Sequence, residues 1–157
     1  MGSTSYTAHI SNKKSAITSK SKLHGVAKHN LRKYKSDDYS KDNIIVLRGT
    51  DDLLQDVRNV YHQEFDEVIK EYNEKQKRVD RKIDDYFEHV AGLEQDMAVE
   101  IIFQCGDKEF WQAHDDVKDK MYYVYSFLIG KLEELLPEFK IANAVIHFDE
   151  ASPHAHV

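Results

Sequence analysis

Three histidines and two acids fall within a single stretch of ten residues, His147-Phe148-Asp149-Glu150-Ala151-Ser152-Pro153-His154-Ala155-His156. Histidine and carboxylate are the side chains that bind catalytic divalent metals, and three imidazoles plus an acid on one strand-turn-strand can close around a single ion. The spacing supplies the geometry. Ile141, Asn143, Val145 and His147 alternate with Ala142, Ala144, Ile146 and Phe148, the period-two pattern of a strand buried on at least one face, with His147 at its end. Asp149 to Pro153 is polar and closed by a proline, which reads as a turn. His154 and His156 lie two apart, so on an extended strand both rings leave the same face while Ala155 points the other way.

A histidine pair on a strand also occurs as surface residues or as half-buried hydrogen-bonding groups. A third histidine and an acid in the intervening turn shift the balance toward a metal site. No helical His-Glu-two-residues-His zinc signature is present. A metal hydrolase of another kind, with Glu150 as base, is therefore a weaker reading.

The pattern of His, any residue, Asp-Glu, two residues, Pro-His, any residue, His is met at every fixed position from His147 to His156. In this the chain resembles the Mob/Pre, or MobV, plasmid mobilisation relaxases of the histidine-hydrophobic-histidine endonuclease superfamily. A second segment, Gly25-Val26-Ala27-Lys28-His29-Asn30-Leu31-Arg32, resembles the family's stretch around its nucleophilic histidine. Between the two motifs the likeness is one of layout.

The resemblance implies a metal-dependent, site- and strand-specific DNA endonuclease and transesterase. Such an enzyme nicks single-stranded or cruciform plasmid DNA at a transfer origin and stays joined to the 5′ phosphate, which initiates mobilisation. By position, His29 is implied as the nucleophile and His147, His154 and His156 as metal ligands, with manganese the expected ion and magnesium or another transition metal the alternatives. Neutral imidazole is nucleophilic near physiological pH, whereas a tyrosine hydroxyl must first lose a proton with a pKa of about 10. Arg32, three residues beyond His29, is expected to share its face if the stretch is helical and to bind phosphate with its guanidinium. Glu150 is either a general base for His29 or a further ligand, and Asp149 a turn former or a partner for an imidazole. His24 competes with His29 by proximity, and Tyr6 is expected to pack on a first strand rather than to attack.

Charge is unevenly spread. The net charge is −6, yet the first 48 residues carry ten Lys/Arg against three Asp, leaving 12 basic against 25 acidic residues for the remainder. Lys13, Lys14, Lys20, Lys22, Lys28, Arg32, Lys33 and Lys35 are interleaved with Tyr34 and Tyr39. Lysines neutralise phosphates and tyrosines stack on unpaired bases, so Lys22, Lys28, Lys33, Lys35 and Tyr34 are the expected DNA contacts. A solvated N-terminal arm is the plainer reading.

The elements that must position these residues run strand, basic loop or short helix, strand, long helix, strand, helix, strand. Ser5 to Ile10 and Asn43 to Arg48 are the first two strands. Thr50 is expected to cap a helical stretch from Leu53 to Val90, either one rod or a hairpin broken near Asn73 to Lys77, with homodimerisation through it as an alternative. Met97 to Gln104 reads as a strand, then a helical region runs to Pro137, with Tyr122, Tyr123, Tyr125 and Phe127 as core or near-core packing. The expected fold is α+β: an antiparallel sheet with helices packed on it, the palm-like arrangement of the resembled family, plus the long helical insertion.

At 157 residues and 41% apolar the chain is sized for one domain, taken as residues 1–157. A lone cysteine, Cys105, fits a reducing compartment and a strand position. No apolar run reaches membrane-spanning length and no signal-peptide stretch opens the chain, so the expected location is cytoplasmic. Relaxases of the resembled family continue past the final histidine, so the C-terminal part of the fold is expected to lie beyond Val157. That leaves a frayed metal strand and a catalytically inactive, truncated DNA-binding module as the alternative function.

Overall fold

The alternating C-terminal residues become two strands at the centre of the sheet. In the computed structural model, which describes residues 5–10, 15–93 and 95–157, five strands form one antiparallel sheet. They are β1 (Tyr6–Ile10), β2 (Ile44–Arg48), β3 (Ile101–Cys105), β4 (Ala144–His147) and β5 (His154–His156), in the order β1-β3-β5-β4-β2. Lys13 and Lys14 of the basic segment lie outside the described residues.

Register decides which side chains meet. His147 pairs with His154 and Val145 with His156 across β4 and β5, while Ile102 pairs with His156 across β3 and β5. Directly opposed residues project from the same face, so the three histidines share one side of the sheet. The backbone ladder continues to Val157, which exchanges bonds with Ile101 at 2.8 and 2.9 Å. The expected fraying of the histidine strand is therefore not observed: β5 is flanked on both sides.

The opposite face carries Ile146, Ala155 and Phe103, and these pack against Trp111, Met121 and Tyr125 of α4 (Lys108–Ala113) and α5 (Met121–Leu135). Fully burying each large side chain contributes about 1.5–3 kcal/mol. Tyr125 also does polar work: its hydroxyl accepts from the Cys105 N–H at 3.1 Å and donates to the Pro153 carbonyl at 2.8 Å. It thereby ties β3 to the turn that delivers His154. Of the expected aromatic cluster Tyr125 alone is fully buried; Tyr123 and Phe127 are each 68% exposed and Tyr122 is on the surface. Spaced one and two residues apart, the four cannot share a helix face, and only Tyr125 is turned toward the sheet.

A second core forms among helices. Leu23 and Ala27 of α1 (Lys20–Asn30), Leu53 and Val57 of α2 (Leu53–Lys75), and Phe87 and Val90 of α3 (Tyr86–Ala91) enclose Ile17, Leu31 and Met97. Ser19 caps α1 by accepting from the Lys22 N–H at 3.2 Å, so the expected basic loop or short helix is a helix of 11 residues. The cap of α2 is Asp52 rather than Thr50. The Thr50 hydroxyl instead donates to buried Asp56 at 2.9 Å. Gly49, at φ 73°, is required here, since a Cβ would sit 2.5 Å from the Ala142 carbonyl oxygen.

The long helical pattern is a hairpin. Asn73 both donates to the Ile83 carbonyl and accepts its N–H, at 2.7 and 2.9 Å, which turns the chain back after α2. Tyr61 and Phe65 then meet Tyr86 and Phe87 ring to ring. Intrachain packing thus uses the first half of the α2 stripe, and Val68 and Tyr72 remain exposed near its end. Tyr6 does not pack as expected, being 85% exposed on edge strand β1. Among the described residues no helix is long and apolar enough to cross a membrane.

The Tyr125 hydroxyl is the sharpest stability test of this arrangement. Tyr125→Phe leaves the Cys105 N–H and the Pro153 carbonyl unpaired in the core, and should cost about 1–3 kcal/mol in urea denaturation. An unchanged unfolding midpoint would show that these bonds do not hold the turn.

Candidate metal and DNA site

Each histidine of the cluster is oriented by a hydrogen bond that fixes its tautomer. His147 reaches the Asn30 carbonyl with Nε2 at 2.7 Å, and His154 reaches the Ser152 carbonyl with Nδ1 at 3.0 Å. Carbonyls only accept, so both nitrogens carry the proton. His156 places Nδ1 2.9 Å from Glu100 Oε1, a carboxylate that likewise accepts. The lone pairs left over are on His147 Nδ1, His154 Nε2 and His156 Nε2. An imidazole bonded through one nitrogen to a carboxylate or carbonyl and presenting the other is the usual dress of a metal ligand.

The rings are close. His147 lies 5.0 Å from His154 and 4.5 Å from His156 between ring centroids, and His154 lies 5.0 Å from His156. Ligand atoms gather in two overlapping sets that share His147, namely His29 with His147 and His156, and His147 with Glu150 and His154, each set lying within 4.8 Å. Glu150 Oε1 stands 3.9 Å from His147 Nδ1 and 3.8 Å from His154 Nε2. His147 Nδ1 and His156 Nε2 are buried without a hydrogen-bond partner. Leaving such atoms unpaired is costly, and a cation between them would satisfy both. The donor set therefore fits a divalent transition metal, and nitrogen predominates too strongly to favour magnesium.

His29 enters from α1, on its last turn, exposed and with its ring 5.7 Å from His147 and 5.4 Å from His156. Its pKa is held below the ordinary histidine value by partial burial, then by His156 and Arg32, against the opposing pull of Glu150 and Glu100. A neutral, nucleophilic imidazole results near neutral pH. Burial pushes His147 down to about 3, helped by His156, and burial also lowers His154. His24, the competing candidate, is an exposed residue earlier on α1.

Arg32 is not where the sequence reading put it. α1 ends before it, and Arg32 adopts a left-handed backbone at φ 49°. Its guanidinium is enclosed: Nε and Nη2 grip the two Asp149 carboxylate oxygens at 2.8 and 2.7 Å, and Nη2 also reaches Glu150 Oε1 at 2.8 Å. Nη1 donates to the His29 carbonyl at 3.2 Å, and the Tyr39 ring lies 4.6 Å away from the guanidinium carbon. With the side chains of Arg32 and Asp149 each 1% exposed, the fork is filled by protein and is not offered to phosphate. The same contacts correct the reading of Asp149, whose partner is Arg32 rather than an imidazole, and draw Glu150 toward the metal-side histidines.

The five expected DNA contacts do not share one environment. Lys28, Lys33 and Lys35 are exposed, and Tyr34, half-buried, meets Tyr39 edge-on at 6.3 Å. Lys22 instead donates to the Ala16 carbonyl and the Thr18 hydroxyl, at 3.0 and 3.2 Å, bracing the turn before α1. An open cleft of about 460 Å³ runs beside Arg32, lined by Tyr34, Lys35, Tyr39 and Lys41 among others. Lys41, on the cleft, and Glu100, beside His156, were not among the residues singled out from the sequence. Glu100 has a legible signal in retrospect, because it stands two residues before Ile102, the partner of His156, and so falls on the same face.

Comparison with known proteins agrees with this geometry. The sequence profile of the Mob_Pre family, described as plasmid recombination enzyme, matches residues 8–157. No curated protein matches the chain. Among solved structures, the MobM relaxase domain (MOBV; Mob_Pre) bound to 22-nucleotide plasmid pMV158 oriT DNA, with manganese at pH 5.5, is similar with a TM-score of 0.57 and 21% identity. The alignment covers 96% of this chain and 67% of that one. The form of that complex carrying a 3′ thiophosphate, at pH 6.8, gives 0.56 and 21% over the same shares. That likeness establishes the shared fold.

Two outcomes follow from the buried charges. Arg32→Ala strands Asp149 without a partner and should cost about 3–5 kcal/mol in denaturant unfolding; Arg32→Lys, which keeps the charge without the fork, should recover only part. The metal-free protein should lose stability as pH falls from 6.5 toward 3, because unfolded histidines take up protons that His29, His147 and His154 refuse in the folded state. Asp149 and Glu100, both held below the usual carboxylate range by their partners despite burial, add to the loss at the lower end. A thermal midpoint in chelator that is equal or higher at pH 5 than at pH 7.5 would contradict this.

Proposed function

The chain belongs to the Mob_Pre plasmid recombination enzyme family, and from that premise we propose that it nicks one strand of plasmid DNA at a transfer origin through His29. The observation that carries the reading is the meeting of His29 with the His147, His154 and His156 cluster. A nucleophile-type imidazole of lowered pKa stands beside a set of ring nitrogens poised for a cation.

The neutral His29 nitrogen attacks the scissile phosphorus. A nitrogen–phosphorus bond forms, the bond from phosphorus to the 3′ oxygen breaks, and the 5′ phosphate stays on the protein as a phosphoramidate. The proton lost from the imidazolium balances the one taken up by the departing 3′ oxygen. His147, His154 and His156, with Glu150, would hold the divalent ion, with manganese the preferred choice. When bound it polarises a non-bridging phosphate oxygen.

The remaining roles belong to the chain's own residues. Asn30, Ser152 and Glu100 orient the three imidazoles and keep their tautomers. Arg32 holds the turn of Asp149 and Glu150 against the end of α1, so that His29 faces the cluster. Glu150 serves the metal side rather than acting as base for His29, since Arg32, His147 and His154 surround its Oε1. Lys28, Lys33, Lys35 and Lys41 neutralise backbone phosphates, and Tyr34 stacks on an unpaired base at the cleft.

With saturating manganese and end-labelled single-stranded oligonucleotides spanning candidate transfer origins, the protein should give an acid-labile covalent adduct on denaturing gels. His29→Ala should give none while still binding the strand. An adduct that persists in His29→Ala would refute the assignment of the nucleophile.

A further inference from the structure

We propose that, before DNA is engaged, His29 is itself a ligand of the metal, a further imidazole that joins His147 and His156 and is released when a strand enters. The proposal rests on reading the histidine cluster as a metal centre. The first observation is positional: one ring nitrogen from each of His29, His147 and His156 lies within 4.8 Å of the other two. The second is chemical. His156 Nε2 and His147 Nδ1 are buried and unpaired, so an ion between them would satisfy both, and beyond His154, already counted among the ligands, His29 is the next imidazole, its exposed ring 5.7 Å from His147 and 5.4 Å from His156.

Nitrogens sharing one ion at bonds of about 2.1 Å sit roughly 3–3.5 Å apart. Closing the observed spacing takes a shift of about 1 Å. The exposed His29 ring at the end of a helix can make that shift by rotation about its side-chain bonds, whereas buried His147 and His156 are held by Asn30 and Glu100. The mobile partner is therefore the nucleophile. A single lone pair cannot bind a cation and attack phosphorus together. The resting enzyme would hold its nucleophile masked, and a phosphate oxygen would take the vacated position as the strand arrives.

Manganese bound to the DNA-free protein reports this directly, because pulsed electron paramagnetic resonance counts the coordinated imidazole nitrogens and calorimetry gives the affinity. His29→Ala should lose one coordinated imidazole and bind manganese about tenfold more weakly, a loss typical of disturbing such a site. His24→Ala, on the same helix and exposed, should match the wild type in both. Saturating single-stranded DNA should remove one coordinated imidazole from the wild type, a result that does not depend on how any variant folds. Identical nitrogen counts in wild type and His29→Ala, unaltered by DNA, would overturn the proposal while leaving the nicking reading intact. Absence of manganese binding altogether would sink both.

Discussion

Residues 117 positions apart have to meet before this site can exist, and the buried fork between Arg32 and Asp149 holds them together. Its geometry is the favourable kind for a charge removed from water: two parallel bonds to one carboxylate, a third to Glu150, a fourth to the His29 carbonyl, and an aromatic face beside it. Those contacts offset both desolvation and the left-handed backbone at Arg32, which by itself costs of order 1–3 kcal/mol. One end of the clamp is the residue just past α1, and the other is the turn between β4 and β5. The distance from His29 to the histidine cluster is set there.

The sheet supplies the complementary constraint. Because β5 lies between β3 and β4, each of its histidines has a fixed neighbour on both sides, and the position opposite His156 on β3 leads two residues back to Glu100. Tyr125 performs the same office from beneath, joining β3 to the turn that starts β5. The imidazoles are thus oriented by backbone and carboxylate acceptors, so the cluster does not depend on a cation to point its lone pairs inward.

Much of this was legible in the residues. The alternation before His147, the proline-closed turn and the two-residue spacing of His154 and His156 define two strands and a connection, and those are β4 and β5. The order of strands and helices was also readable, as was the break in the long helical pattern near Asn73. What could not be read was partnership at a distance. Nothing in the spacing of Arg32 identifies Asp149 as its counterpart, and a guanidinium in a basic segment looks like a phosphate ligand until its fork is seen to be full. Glu100 was hidden for a related reason, since its role comes from strand pairing rather than from its own neighbours. The surface aromatics of α5 misled because composition reports that a helix is apolar without saying which side meets the sheet.

The central claim is that His29 is the atom donor to phosphorus. The covalent adduct formed with manganese and a cleavable single strand can be digested with trypsin and mapped by mass spectrometry under neutral conditions that preserve phosphoramidates. The account predicts the nucleotide on the peptide running from His29 to Arg32, the segment released by cleavage after Lys28 and Arg32. A nucleotide found on Tyr34, Tyr39 or any other residue would contradict it.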